Sequence, residues 1–156
     1  MRRRRALLAA LLIPFVGITV WFRPDVTVPA ADPSLALDAR ARVPAPVLSL
    51  LRRACFDCHS NETRWPWYAF VPPASWLVAH DVREGRGQMN FSRWGEYNPF
   101  DRADMLDEVC DLVSTKEMPL WQYRLVHEEA RLTDAEQAAI CEWSKAEATR
   151  LEQGGS

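Results

Sequence analysis

Cys55, Cys58 and His59 form the pattern in this sequence that carries the most chemistry. Two thiols separated by two residues match the spacing of the two vinyl groups on one porphyrin edge, and an imidazole directly after the second thiol reaches the iron beneath the ring. The pattern therefore predicts one haem c, attached through Cys55 and Cys58 and held by His59. Two other readings use the same cysteines. A thioredoxin-like dithiol needs a β-α-β setting with the motif opening a helix, and the flanking sequence offers none. A structural zinc site needs a fourth ligand at ligand-like spacing, whereas Cys110 and Cys141 stand apart rather than in a second pair. Those two remaining cysteines are open between a disulfide and two separate buried thiols.

With His59 on one face of the iron, the sixth position decides the class of function. A protein ligand there suits electron transfer, and an open position suits binding or activation of a small molecule. Met118 is the leading candidate: it follows a predicted helix in a loop-like stretch, and Pro119 restricts that loop. Methionine also fills core gaps, so packing is the competing role. His80, His127 and Met89 are the rivals. His80 lies one turn after Trp76 on the same helical face, and His127 precedes Glu128 and Glu129 in a polar stretch. Trp65, Trp67, Trp76, Trp94 and Trp121 are candidates for an aromatic pocket wall, although core packing explains any one of them. Arg64 and Arg86 are candidate partners for a haem propionate.

The elements that must place these residues read as helices. Val47, Leu48, Leu50 and Leu51 lead into Cys55 with helical spacing, and Trp76, Leu77, Val78 and Val82 mark a helix from Pro73 to about Glu84 that Gly85 and Gly87 end. Asn98 caps a third helix with Pro99 at its first position and a stripe of Met105, Val109, Leu112 and Val113. Thr133 and Glu136 form a capping box for a last helix, with Ala139, Ile140 and Trp143 as its core face, running to about Gln153. Nothing alternates as strands do, so the fold class is mainly α: a cytochrome c-like small helical haem domain over residues 45 to 153. Before it, residues 24 to 44 read as a Pro-rich linker whose end packs if Leu35 and Leu37 are buried.

Residues 1 to 23 read as an N-terminal signal anchor, one transmembrane helix. Arg2 to Arg5 precede an uncharged run from Ala6 to Phe22, and 17 helical residues cover about 25 Å, just enough to span with snorkelling arginines. The basic N-terminal flank favours an N-terminus left in the cytoplasm and a C-terminal domain in the periplasm of a bacterial inner membrane. A cleaved signal peptide is the alternative, with Val28-Pro29-Ala30 as the site. Five of the 19 basic residues lie at or before Arg23 and all 21 acidic ones after it, which leaves the exported part at −7. Such a body argues against nucleic acid and suits a basic or neutral redox partner.

The stretch from Cys55 through Ser60-Asn61 and Arg64-Trp65-Pro66-Trp67-Tyr68 resembles the bacterial haem-binding domain family of small exported proteins with a single C-x-x-C-H motif. The likeness continues through Ser75 to Val82, Glu84-Gly85-Arg86 and Asn90-Phe91-Ser92-Arg93-Trp94. Its last block is Lys116 to Tyr123 with Met118-Pro119, His127 and Leu132-Thr133, so that it covers about residues 45 to 144. The resemblance implies a cytochrome-like haem protein. The expected function is electron transfer with His59 and Met118 as axial ligands and no substrate chemistry. The alternative is a haem sensor or peroxidase-like protein with an open or histidine sixth position, for which His80 beside Asp81 is the hint.

Overall fold

The computed structural model describes residues 23 to 154, together with Ala10, Pro14, Gly17 and Trp21. Every regular element among them is helical. The run from 6 to 22, predicted to span the membrane, lies outside the described residues apart from those four single positions. No helix among the described residues is long and apolar enough to cross a membrane.

In chain order the α-helices are α1 (Leu37–Arg40), α2 (Ala45–Ala54), α3 (Phe56–His59), α4 (Ala74–Gln88), α5 (Pro99–Ser114), α6 (Trp121–Val126) and α7 (Asp134–Glu152). Tight 3-10 turns precede α1 at Pro33–Leu35 and follow α4 at Phe91–Glu96. Start signals written in the sequence act locally as chemistry requires. The Asn98 side chain accepts the Asp101 N–H at the head of α5, and Thr133 and Glu136 complete a reciprocal capping box at the head of α7.

Two compact units result. One takes residues 28 to 64 and 82 to 154; the other is built around residues 65 to 81. The core of the larger unit sets Leu106 and Val113 of α5 with Ile140, Trp143, Ala148 and Leu151 of α7. Val47 and Leu51 of α2, Phe56 of α3, and Phe91 and Trp94 complete it. Leu37 is wholly buried in this core, so the stretch predicted as a linker joins the domain through its C-terminal part. In the smaller unit Ala69, Ser75 and Ala79 are buried, while Trp67, Phe70, Val71, Trp76 and Leu77 are exposed.

Cys110 of α5 and Cys141 of α7 form a disulfide, with Cα atoms 4.3 Å apart and a sequence separation of 31. Closing a loop of that length stabilises by roughly 3–4 kcal/mol in the chain-entropy model.

Two expectations are corrected. Gly85 and Gly87 do not end α4, which continues to Gln88; the space around Gly85, described below, supplies the reason for a glycine inside a helix. On α5 the fully buried line is Ala103, Leu106, Cys110 and Val113, with Met105, Val109 and Leu112 only partly covered. A 3.6-residue period leaves the face uncertain by one position, and packing against α7 selects it.

Glu147 on α7 is buried, and its carboxylate accepts from both ends of the domain: the Arg42 backbone N–H at 3.2 Å and the Arg150 guanidinium at 2.7 and 2.8 Å. Burial alone raises a carboxyl, but these partners outweigh it and hold Glu147 below its ordinary value. A depressed folded-state pKa contributes stability above the unfolded value of about 4.3 and loses it as pH falls through the folded value. Glu147→Gln should therefore cost about 1–3 kcal/mol near neutrality. Urea unfolding at pH 7 and pH 3 checks this, since the gap between variant and wild type should narrow at the lower pH.

Candidate haem site

The attachment motif occupies the single turn of α3, set directly after α2. The Cys55 N–H still donates to Leu51 O at 2.8 Å and the His59 N–H to Cys55 O at 2.9 Å, so Cys55 and Cys58 sit three apart on one helical face. The turn is anchored by one of its intervening residues: Phe56 is buried, stacks on Phe91 with centroids 5.1 Å apart, and carries the Arg52 guanidinium 4.7 Å above its ring. With Phe56 in the core, Cys55, Cys58 and His59 keep part of their surface open.

Cys55 and Cys58 are not joined in a disulfide. Protein crowds the Cys55 sulfur, and this burial pushes its thiol up to about 12. Dithiol oxidoreductases and zinc sites need the opposite, a thiolate near neutrality. Among the described residues no group of three or more His, Cys, Asp or Glu side chains is placed to hold a metal ion.

His59 is oriented from behind. Its Nδ1 lies 3.2 Å from the Met89 carbonyl oxygen, which can only accept, so Nδ1 carries the proton and Nε2 keeps the lone pair. Burial lowers the His59 pKa and favours the neutral ring. A metal-ligating histidine has this form: neutral, its tautomer fixed by a backbone carbonyl on the other nitrogen.

The backbone behind the motif is tight. A Cβ placed on Gly85 meets the Cys58 carbonyl oxygen at 2.9 Å and its carbon at 3.2 Å, so α4 and α3 approach closer than any side chain allows. Gly85→Ala should destabilise by about 1–3 kcal/mol because backbone must yield. A thermal melt checks the loss, and Gly87→Ala, where nothing lies within 4 Å, serves as the control and should be harmless.

Beyond His59 a buried polar network fixes the exit of the motif. The Asn61 N–H donates to Ser92 Oγ at 2.9 Å, Asn90 Nδ2 to Asn61 Oδ1 at 2.8 Å, and Ser60 Oγ to Phe56 O at 2.7 Å. Arg86 donates to Ser60 O at 2.8 Å and Thr63 Oγ1 at 2.6 Å, so it holds this loop. Arg64 is largely exposed beside Asp57, its Nε 3.7 Å from the carboxylate.

Met118 is half-buried in the turn after α5, where Lys116 takes a positive φ of 63° and the Met118 N–H donates to Leu112 O at 3.0 Å. The segment it belongs to reaches the attachment turn through Tyr123, whose hydroxyl donates to Asp57 Oδ2 at 2.9 Å. Burial and the Asp57 carboxylate push the Tyr123 hydroxyl well above its ordinary range, which keeps it a donor. Of the rivals, Met89 is buried in the core and contributes its carbonyl rather than its sulfur. His127 stacks on Tyr123 with centroids 4.1 Å apart and bonds Glu129 through Nδ1 at 2.8 Å. His80 is exposed on the part of α4 that belongs to the smaller unit. Trp94 is wholly buried core, while Trp67, Trp76 and Trp121 are exposed.

Sequence reading did not assign Gly85, the Met89 carbonyl, Asp57 or Tyr123 to the site. Asp57 lies inside the motif itself, and Gly85 and Tyr123 lie in the blocks of the family resemblance without a role at the site assigned to them.

Two unbridged thiols on one helical face and a neutral imidazole that carries its proton on Nδ1 fit a haem. Helices, thiols and imidazole together define a small helical haem protein. The chain matches the model of the haem-binding domain family over residues 14–146 and belongs to that family. It is also similar to the protein named cytochrome c peroxidase Ccp of Escherichia coli (strain K12), at 24% identity over 143 residues, 87% of this chain. The chain spans 30% of that relative's length. No solved structure matches it.

Proposed function

We propose that this chain is a membrane-anchored c-type haem protein whose domain lies in the periplasm and transfers electrons. Cys55 and Cys58 bond the haem, and His59 and Met118 hold its iron. The observation that carries the reading is the bond from His59 Nδ1 to the Met89 carbonyl, which supports Nε2 as the ligating nitrogen beside two thiols that no disulfide joins. Haem, when bound, supplies reversible one-electron chemistry. The chain's part is to fix its position, keep His59 neutral and fill the sixth position so that small molecules do not. The Cys110–Cys141 disulfide supports an oxidising compartment, and the −7 charge after Arg23 suits a basic redox partner. Anchoring rests on the arginine-flanked apolar run at residues 6 to 22.

Fractionation with a haem stain on denaturing gels tests the reading. Stain at the monomer mass, in membranes that resist alkaline carbonate washing, is expected. Stain in a soluble fraction with a mature N-terminus at Ala31 contradicts the anchor alone, and haem extracted entirely into acid acetone contradicts the covalent attachment.

The similarity to the Escherichia coli protein favours a second reading, a peroxidase-like haem domain with an open or histidine-held sixth position. Peroxide turnover by the purified domain, with carbon monoxide binding freely to the ferrous form, selects that reading.

A further inference from the structure

The Met118 segment is fastened well to the helix it leaves and sparsely to the motif it is proposed to face. On the first side, the Met118 N–H bonds Leu112 O at 3.0 Å, and Arg124 returns to Lys116 O at 3.3 Å. On the second, a hydrogen bond between side chains reaches across. No residue of α6 is buried, and Trp121, Leu125 and Val126 are exposed at 67%, 63% and 61%. The Tyr123 hydroxyl crosses from α6 to the attachment turn, bonded at 2.9 Å to a carboxylate 66 positions away in sequence. That carboxylate is itself held in place. Asp57 Oδ1 accepts the Arg64 backbone N–H at 3.1 Å, which leaves Oδ2 turned to Tyr123. The Tyr123 ring stacks on His127, itself tied to Glu129.

We propose that Asp57 and Tyr123 are positioning residues: their hydrogen bond holds the Met118 segment against the attachment turn and sets how firmly Met118 keeps the sixth position. This rests on Met118 as the ligand. A hydrogen bond to a charged, partly buried acceptor is strong enough to matter to a ligand carried on a short loop. Phenylalanine at 123 keeps the ring and its stacking on His127 and removes only the donor. Asparagine at 57 keeps an acceptor without the charge.

The test uses the haem-loaded protein and free imidazole as the competing ligand. Tyr123→Phe should bind imidazole about tenfold more tightly than the wild type, the size of effect a lost bond to a charged acceptor gives. It should also weaken the far-red band of methionine-to-iron bonding while the haem stays covalently attached. Asp57→Ala should match it, Asp57→Asn should fall between it and wild type, and the double variant should be no worse than the more affected single one, because one bond is lost either way. Hydrogen exchange gives a readout independent of the iron: amides of residues 116 to 126 should exchange about tenfold faster in Tyr123→Phe. Met118→Ala separates the two claims. If it tightens imidazole binding while Tyr123→Phe moves neither the affinity nor the exchange, the positioning role is wrong and the ligand stands. If Met118→Ala changes nothing, ligand and positioning role fall together.

Discussion

Met118→Ala should leave the haem attached and the helices folded while changing the state of the iron. The ferric wild type is expected to be low-spin, with the weak far-red absorption that a thioether on iron produces. In the variant that band should vanish, the ferric haem should turn high-spin or take up an added ligand, and carbon monoxide should bind the ferrous form readily. Met118→His should stay low-spin while its reduction potential falls, since imidazole favours the ferric state more than a thioether does. The physical basis is a half-buried methionine on a segment that the chain brings to the attachment turn through Tyr123 and Asp57. A spectrum unmoved in Met118→Ala but altered in His80→Ala assigns the ligand to His80 instead.

The second large effect concerns the thiols. Cys55→Ala combined with Cys58→Ala should abolish haem staining of the denatured protein completely, because both thioether positions are gone. The fold should survive in outline, since Cys55 packs only at the edge of the core and the anchoring contacts of the turn are those of Phe56 with Phe91 and Ser60 with the Phe56 carbonyl. Circular dichroism and haem staining of the same samples check the two statements together. His59→Ala should keep the covalent stain and lose the low-spin spectrum, which separates attachment from ligation.

Features that rest on near neighbours in the chain were legible in advance. The C-x-x-C-H turn, the Asn98 cap and the Thr133–Glu136 box each involve groups a few residues apart, and each forms as its spacing requires. Contacts made across the fold were not legible. Gly85 inside a helix reads as a stop signal until α3 is seen pressed against it, where only a hydrogen fits. The residue that turns His59 is Met89, yet it acts through a carbonyl that every residue type possesses, so no side-chain pattern marks it. Tyr123 meets Asp57 across 66 positions, and a single sequence does not announce such a pair. Likewise, which tryptophans are covered was not legible: Trp94 is core and Trp121 is exposed, because burial is decided by the neighbours of each element rather than by the flatness of the ring. The resemblance blocks gain a physical meaning: Ser60-Asn61 and Asn90 to Ser92 are bonded to each other behind the motif.

The most direct test of the central claim is one optical spectrum of the purified wild-type protein, ferric and ferrous, with and without carbon monoxide. A covalent haem held by His59 and Met118 predicts a low-spin spectrum in both states, far-red absorption in the ferric form, and ferrous bands that carbon monoxide leaves unchanged. A high-spin ferric spectrum with rapid and complete carbon monoxide binding contradicts it and hands the chain to the peroxidase-like reading.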